Sequence, residues 1–246
     1  MSFVSDSSTY VVKLADRREV AEGTMAFRFE KPTQFVFKPG QFIDVTLVNP
    51  PETEAEGNVR AFSIASTSDE GTLMVATRMR NTPFKRTLQT MPLGSEVTIE
   101  GPFGNLILHS DATRPAILLA GGIGITPFRS IVLQAAKDKL PHRIVLFYSN
   151  RRPEDAPFLD EMQAIQGMNP HYTCVSTMTQ PAKSSRPWHG ETGFITSAML
   201  TKYLANVDSP IYYLVGPPGM VDGLRTTLKG AGIDDEDIRT EKFTGY

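Results

Sequence analysis

The 246-residue chain carries 25 Lys and Arg against 27 Asp and Glu, a formal net charge of −2, and 40% hydrophobic residues. That balance excludes a protein built mainly to grip nucleic acid, which needs a basic surface, and no apolar run reaches the roughly 20 residues that cross a bilayer. The single cysteine, Cys174, excludes an internal disulfide and a four-thiolate iron–sulfur cluster, and four histidines without ligand-like spacing give no reason to expect a metal site.

Residues 1–9 lack the basic and apolar regions of a secretory signal and read as a flexible tail on a cytoplasmic protein. Residues 10–110 then read as a first domain of short strands. Segments 10–14, 24–29, 41–47 and 73–77 carry partial period-2 alternation and many β-formers. Turn signals such as Lys38-Pro39-Gly40 and Pro92-Leu93-Gly94 separate the strands. A helical insert is expected near residues 84–91, and the acidic, proline-bearing segment 49–58 reads as a solvated hairpin tip. Closely spaced short strands predict an antiparallel β-barrel.

Residues 111–115 read as a hinge, and 111–246 as a second domain with a different pattern. Strands are expected near 116–120, 143–148, 171–177, 210–215 and 238–243, with helices near 127–138, 157–166, 196–204 and 218–230. Strand–helix alternation of this kind predicts a doubly wound parallel sheet. At its start, Pro115-Ala-Ile-Leu-Leu-Ala-Gly-Gly-Ile-Gly-Ile-Thr-Pro127 describes a buried strand that turns through three glycines into a helix. Glycine lets backbone approach a ligand closely, and the helix start offers unpaired N–H groups and a positive dipole end to a pyrophosphate. Thr126 is suited to cap that helix and Pro127 to its first position.

Five segments in order carry a family resemblance: Phe37-Lys38-Pro39-Gly40-Gln41-Phe42, Arg60-Ala61-Phe62-Ser63, Gly101-Pro102-Phe103-Gly104, the Gly121 turn, and Gly216-Pro217-Pro218-Gly219-Met220. Together they resemble the ferredoxin–NADP reductase superfamily over residues 10–246. The resemblance implies an FAD-binding barrel followed by an NAD(P)H-binding domain, with FAD favoured over FMN and NAD(P)H as hydride donor. It implies that Arg60 binds flavin phosphate, with Ala61 beside it, that Phe62 lies against the flavin ring, and that Ser63 hydrogen-bonds near flavin N5. The family usually has tyrosine at the Phe62 position, so a hydroxyl contact is lost here while the stacking surface is kept.

Lys85, Arg86 and Thr87 occupy the family's second flavin-phosphate segment, where Ser or Thr is common at the position of Lys85. Thr77 is a further candidate contact to the ring or the nicotinamide. In the second domain the resemblance assigns Gly121, Gly122, Gly124 and Thr126 to the dinucleotide pyrophosphate, and Gly216, Pro217 and Met220 to the border of the nicotinamide pocket. Val215 stands where the family often has cysteine. The C-terminal Thr240-Glu241-Lys242-Phe243-Thr244-Gly245-Tyr246 matches an ending in which an aromatic covers the flavin. Phe243 takes that role by alignment, with Glu241 near the active centre and Tyr246 able to provide or extend the cover.

Two arginines, Arg151 and Arg152, follow the second parallel strand, whereas Ser176-Thr177 replaces the Ser-Arg pair of many NADP-using relatives, so NADH and NADPH both stay open. With no cluster of its own, the chain is expected to pass electrons to an external ferredoxin, flavodoxin or oxygenase iron–sulfur component. The alternatives are a reductase of free flavin and a non-catalytic electron-transfer subunit.

Overall fold

The computed structural model describes residues 8–53, 55 and 57–244. Its first half is a six-stranded antiparallel sheet in the order β4-β3-β6-β1-β2-β5, built from β1 (Ser8–Ala21), β2 (Thr24–Glu30), β3 (Phe42–Leu47), β4 (Val59–Ser63), β5 (Thr72–Arg78) and β6 (Glu96–Phe103). Ser8 and Thr9, read from sequence with the tail, open β1. Along β3 burial alternates strictly: Ile43, Val45 and Leu47 point inward while Phe42, Asp44 and Thr46 do not. The sheet curls until the segment after β4 reaches β5, where Ala65 N–H donates to the Met74 carbonyl at 2.7 Å and closes the barrel. Helix α1 (Pro83–Thr90) plugs one end with Phe84 and Leu88, and Thr82 caps it by accepting from Lys85 N–H.

The second half is a parallel sheet in the order β10-β9-β8-β7-β11-β12. Its strands are β7 (Ala116–Gly121), β8 (Ile144–Asn150), β9 (Tyr172–Met178), β10 (Glu191–Thr192), β11 (Ile211–Gly216) and β12 (Ile238–Lys242). β7 and β11 are buried along their whole length, as continuous apolar runs in a two-sided sheet should be. Helices α2 (Ile125–Lys137) and α3 (Leu159–Ala164) join the core on one face, and α4 (Ser197–Leu204) and α5 (Pro218–Gly230) join the core on the other. The core on the α2 face runs on into the barrel, since Ala26, Ala65, Met74 and Ala76 belong to the same buried cluster as Ile125, Phe128 and Ile131. The strand order reverses between β7 and β11, the position at which open α/β sheets bind ligands beyond the strand ends. No helix among the described residues is long and apolar enough to cross a membrane.

Candidate active site

At the reversal point β7 ends in the buried Gly121, followed by a single 3-10 turn, Gly122–Gly124, and then α2. Gly122 has φ 54°, a left-handed conformation that glycine adopts without strain. Gly121 and Gly124 are small for a different reason than ligand approach. A Cβ on Gly121 would lie 2.3 Å from Met220 Sδ, and one on Gly124 would lie 2.3 Å from the Val215 carbonyl oxygen. Gly216 closes the same contact, because a Cβ there would lie 3.2 Å from Gly121 Cα. The glycines therefore press β7, β11, α2 and α5 together, and the open turn with the positive end of α2 is the result.

Thr126 does not cap α2. It is the second residue of the helix, 1% exposed, and its hydroxyl donates back to the Ile123 carbonyl at 3.0 Å, while Gly124 takes the cap position without a side-chain bond. Pro127 correspondingly lies at the third helical position rather than the first.

A cavity of about 840 Å³ opens over these strand ends. Of the sequence-predicted residues it brings together Gly121, Gly122, Pro217 and Met220; Gly124, Thr126 and Gly216 are buried and are not part of its lining. Arg78 and Arg80 enter from the end of β5, so both halves of the chain build the cleft. Arg151, Asp155 and Phe194 also line it, and Phe194, 77% exposed, offers an aromatic face at the rim. Asp155 is 3% exposed yet ionised: hydrogen bonds from Arg152 and the charges of Arg151 and Arg78 hold its carboxyl below the usual range against the cost of burial. Sequence reasoning missed Arg78, Asp155 and Phe194 as cleft residues. Only the Arg78-Met79-Arg80 pair at a strand end was a usable signal.

In the barrel, Arg60 and Phe62 project from the same side of β4 onto α1. The Arg60 guanidinium lies 5.3 Å from the Phe84 ring centre, and the Phe62 and Phe84 rings are 6.0 Å apart. Phe62 is 9% exposed and contributes to the barrel core, while Ala61, facing the other way, is exposed. Lys85 Nζ donates to the Arg78 carbonyl at 2.8 Å, which ties α1 to the end of β5. Arg86 bonds Asn81 and pairs with Glu52, and the described residues of segment 49–58 are mostly exposed at the β3–β4 connection, as a solvated hairpin tip should be. Thr87 lies half-buried on α1, and Thr77 is buried near the end of β5 outside the cleft lining.

Ser63 gives the clearest test of fit to a flavin. It is 5% exposed, and its Oγ is buried with no hydrogen-bond partner among the described residues. A buried hydroxyl left unpaired costs about 1–3 kcal/mol, so such groups in native proteins call for a partner. The residues present fit the group: the Arg60 guanidinium over α1, the Lys85 and Arg86 side chains in the first turn of that helix, and the buried Ser63 hydroxyl on the strand that carries Arg60.

The last strand runs beside these elements. Glu241 pairs in register with Val215, and Phe243 N–H donates to the Gly216 carbonyl at 3.0 Å, with its ring half-buried against the α2-face core. Tyr246 lies outside the described residues. Burial pushes the Glu241 carboxyl up to about 7. Because its folded value exceeds the ordinary one, Glu241 favours the fold while protonated, and that contribution is lost as pH rises from 4.5 through about 7. Glu241→Gln, which mimics the protonated form, should therefore melt with wild type below about pH 4.5 and above it at about pH 8. Equal melting temperatures at the higher pH would overturn this account of the site.

Comparison with known proteins bears on the same two halves. Residues 11–107 match the family model for an oxidoreductase FAD-binding domain, and residues 118–226 match an oxidoreductase NAD-binding domain. The chain is 30% identical over 205 residues to one component of the Na(+)-translocating NADH-quinone reductase of Serratia proteamaculans, covering 77% of this chain and 50% of that protein. It is 25% identical over 238 residues to the toluate 1,2-dioxygenase electron transfer component of Pseudomonas putida, covering 95% of this chain and 67% of that one. It thus spans about half the length of the first of these relatives. In fold it is similar to a ferredoxin NADP+ reductase from Neisseria gonorrhoeae solved with bound FAD and NADP, with a TM-score of 0.78, 21% identity, and coverage of 95% and 98% of the two chains.

Proposed function

The chain belongs to the ferredoxin–NADP reductase-like superfamily of FAD- and NAD(P)H-dependent oxidoreductases, and from that premise we propose that it delivers electrons to a separate redox carrier: a ferredoxin, a flavodoxin or an oxygenase iron–sulfur component. The observation that carries the reading is the cleft of about 840 Å³, because its walls come from the dinucleotide turn of one half and the β5 end of the other. With one cysteine in 246 residues, these domains supply no four-thiolate cluster, so the one-electron carrier is another domain or another protein.

FAD supplies the redox chemistry when bound, accepting a hydride equivalent from NAD(P)H. The chain's own residues bind, orient and shield. Arg60, with Lys85, Arg86 and Thr87 at the start of α1, holds the flavin phosphate. Phe62 supports the ring, and Ser63 donates a hydrogen bond at its reactive edge. Gly122 and the positive end of α2 hold the pyrophosphate of NAD(P)H, while Pro217 and Met220 border the nicotinamide. Phe243 covers the flavin, and the half-buried Glu241 sits beside the strand that ends at Gly216. No nucleophile or general base is called for, since orientation of two rings in a near-attack arrangement accounts for the reaction.

The test is anaerobic. Protein loaded with FAD is mixed with NADH or NADPH, and the visible flavin band is followed. Bleaching by either is expected, and failure with both overturns the reading in favour of a non-catalytic role. Reoxidation of the bleached protein by ferredoxin or flavodoxin supports the proposed carrier; reoxidation by free FMN alone favours a free-flavin reductase.

A further inference from the structure

The flavin strand and the dinucleotide helix are fastened to each other by one face of α2. Arg129, one turn into the helix and 4% exposed, donates through Nε and Nη2 to both oxygens of Glu161 at 2.7 Å. Its third nitrogen, Nη1, donates to the carbonyl of Ala65, two residues beyond Ser63. The guanidinium lies 4.9 Å from the Phe158 ring centre, which fixes its plane. The next residue, Ser130, donates from Oγ to the Ser66 carbonyl at 2.6 Å. Further along the helix, Gln134 Oε1 accepts from Ser68 N–H at 2.8 Å, and Lys137 pairs with Asp69.

Side chains on one helix face thus hold segment 65–69, just beyond β4. The other end of α2 is pinned too, since Gly124 meets β11 without room for a Cβ. A barrel glycine, Gly40, meets the helix side, where a Cβ would approach Ile131 Cδ1 to 3.1 Å. α2 is therefore a shared strut: its N-terminus stands at the dinucleotide turn and its flank fixes the chain segment that follows Ser63.

We infer that Arg129 is a positioning residue for hydride transfer, setting the distance and angle between the flavin held by β4 and the nicotinamide held at α2. The inference rests on the proposed reaction, in which the two rings must meet in a narrow geometry. Misplacement by about 1 Å in such a reaction can cost about 10²-fold in rate without a change in binding. A lysine at 129 keeps the charge, but it lacks the planar fork that serves Glu161 and Ala65 together.

The experiment compares wild type, Arg129→Lys and the double variant Arg129→Met/Glu161→Leu, each loaded with FAD. Arg129 is buried and Glu161 half-buried, and replacing both partners of a pair held out of water by apolar side chains commonly preserves stability, whereas removing the one that leaves a buried charge does not. The double variant should therefore fold with wild-type flavin content while Ala65 loses its donor. The rate of flavin reduction at saturating NAD(P)H is expected to fall about tenfold or more, with NAD(P)H affinity held within about threefold. Hydrogen exchange of the flavin-free protein should speed up in residues 64–68, where Ile64 and Ala65 amides are bonded, and not elsewhere in the barrel. Ser130→Ala, a milder change, should slow reduction about threefold. A folded double variant that reduces its flavin at the wild-type rate overturns the inference, and so does unchanged exchange in residues 64–68. Wild type that neither nicotinamide reduces overturns the proposed function instead, and the exchange experiment then decides the role of Arg129 by itself.

Discussion

Gly124→Ala is expected to destabilise the FAD-loaded protein by about 3 kcal/mol or more and to abolish measurable binding of NAD(P)H. The added methyl would lie 2.3 Å from the Val215 carbonyl oxygen, 2.6 Å from its carbon and 2.9 Å from Gly216 N. All three are backbone atoms of a strand buried between β7 and β12, so no flexible side chain can yield. The backbone at Gly124 is already in the right-handed helical region, with φ −60°, so the cost is one of space and not of conformation. Relief requires α2 to move away from β11, which opens the turn at Gly122 and tilts the helix whose face holds residues 65–69. Gly219→Ala is the control. It lies in α5 with nothing within 4 Å of the new methyl, and it should be neutral or stabilising by up to about 1 kcal/mol. Urea denaturation of the two variants separates them, and a Gly124→Ala protein as stable as Gly219→Ala would overturn the packing account.

That pair also explains why the glycine turn was legible as a position but not as a mechanism. An apolar run broken by glycines signals a strand, a turn and a helix. It does not say whether each glycine admits a ligand or a neighbouring strand. β11 lies about ninety residues downstream, so only the folded chain reveals that Gly121 and Gly124 face Met220 and Val215. The strict alternation of β3 and the 218–230 helix were readable because their periodicity is local. β1 was not fully readable: its second half, Asp16-Arg17-Arg18-Glu19, is charged on both faces and stays a strand through pairing with β2, with register shifts at Leu14/Asp16 and Glu19/Ala21. Among the proposed site residues, Arg60 and Ser63 lie in one contiguous segment that the sequence could single out. Asp155 and Phe194 reach the cleft from separate loops, where composition marks nothing.

Ser63→Ala should change two quantities in opposite directions. In the flavin-free protein Ser63 Oγ is buried without a partner among the described residues, so deleting it removes a desolvation cost and should raise stability by about 1 kcal/mol. In the FAD-loaded protein the same deletion removes the hydrogen bond proposed at the flavin's reactive edge. Loss of one preorganised donor at a reacting centre typically costs about 10²–10³-fold, and reduction by NAD(P)H should slow by about 10²-fold. Packing alone cannot produce this pair of signs, because a residue that serves only the fold would weaken or spare both states together. Thermal melting of flavin-free protein and stopped-flow reduction of loaded protein read the two effects independently. A Ser63→Ala variant that melts lower without flavin, or that reduces at the wild-type rate with it, would remove Ser63 from the active centre and return it to the barrel wall.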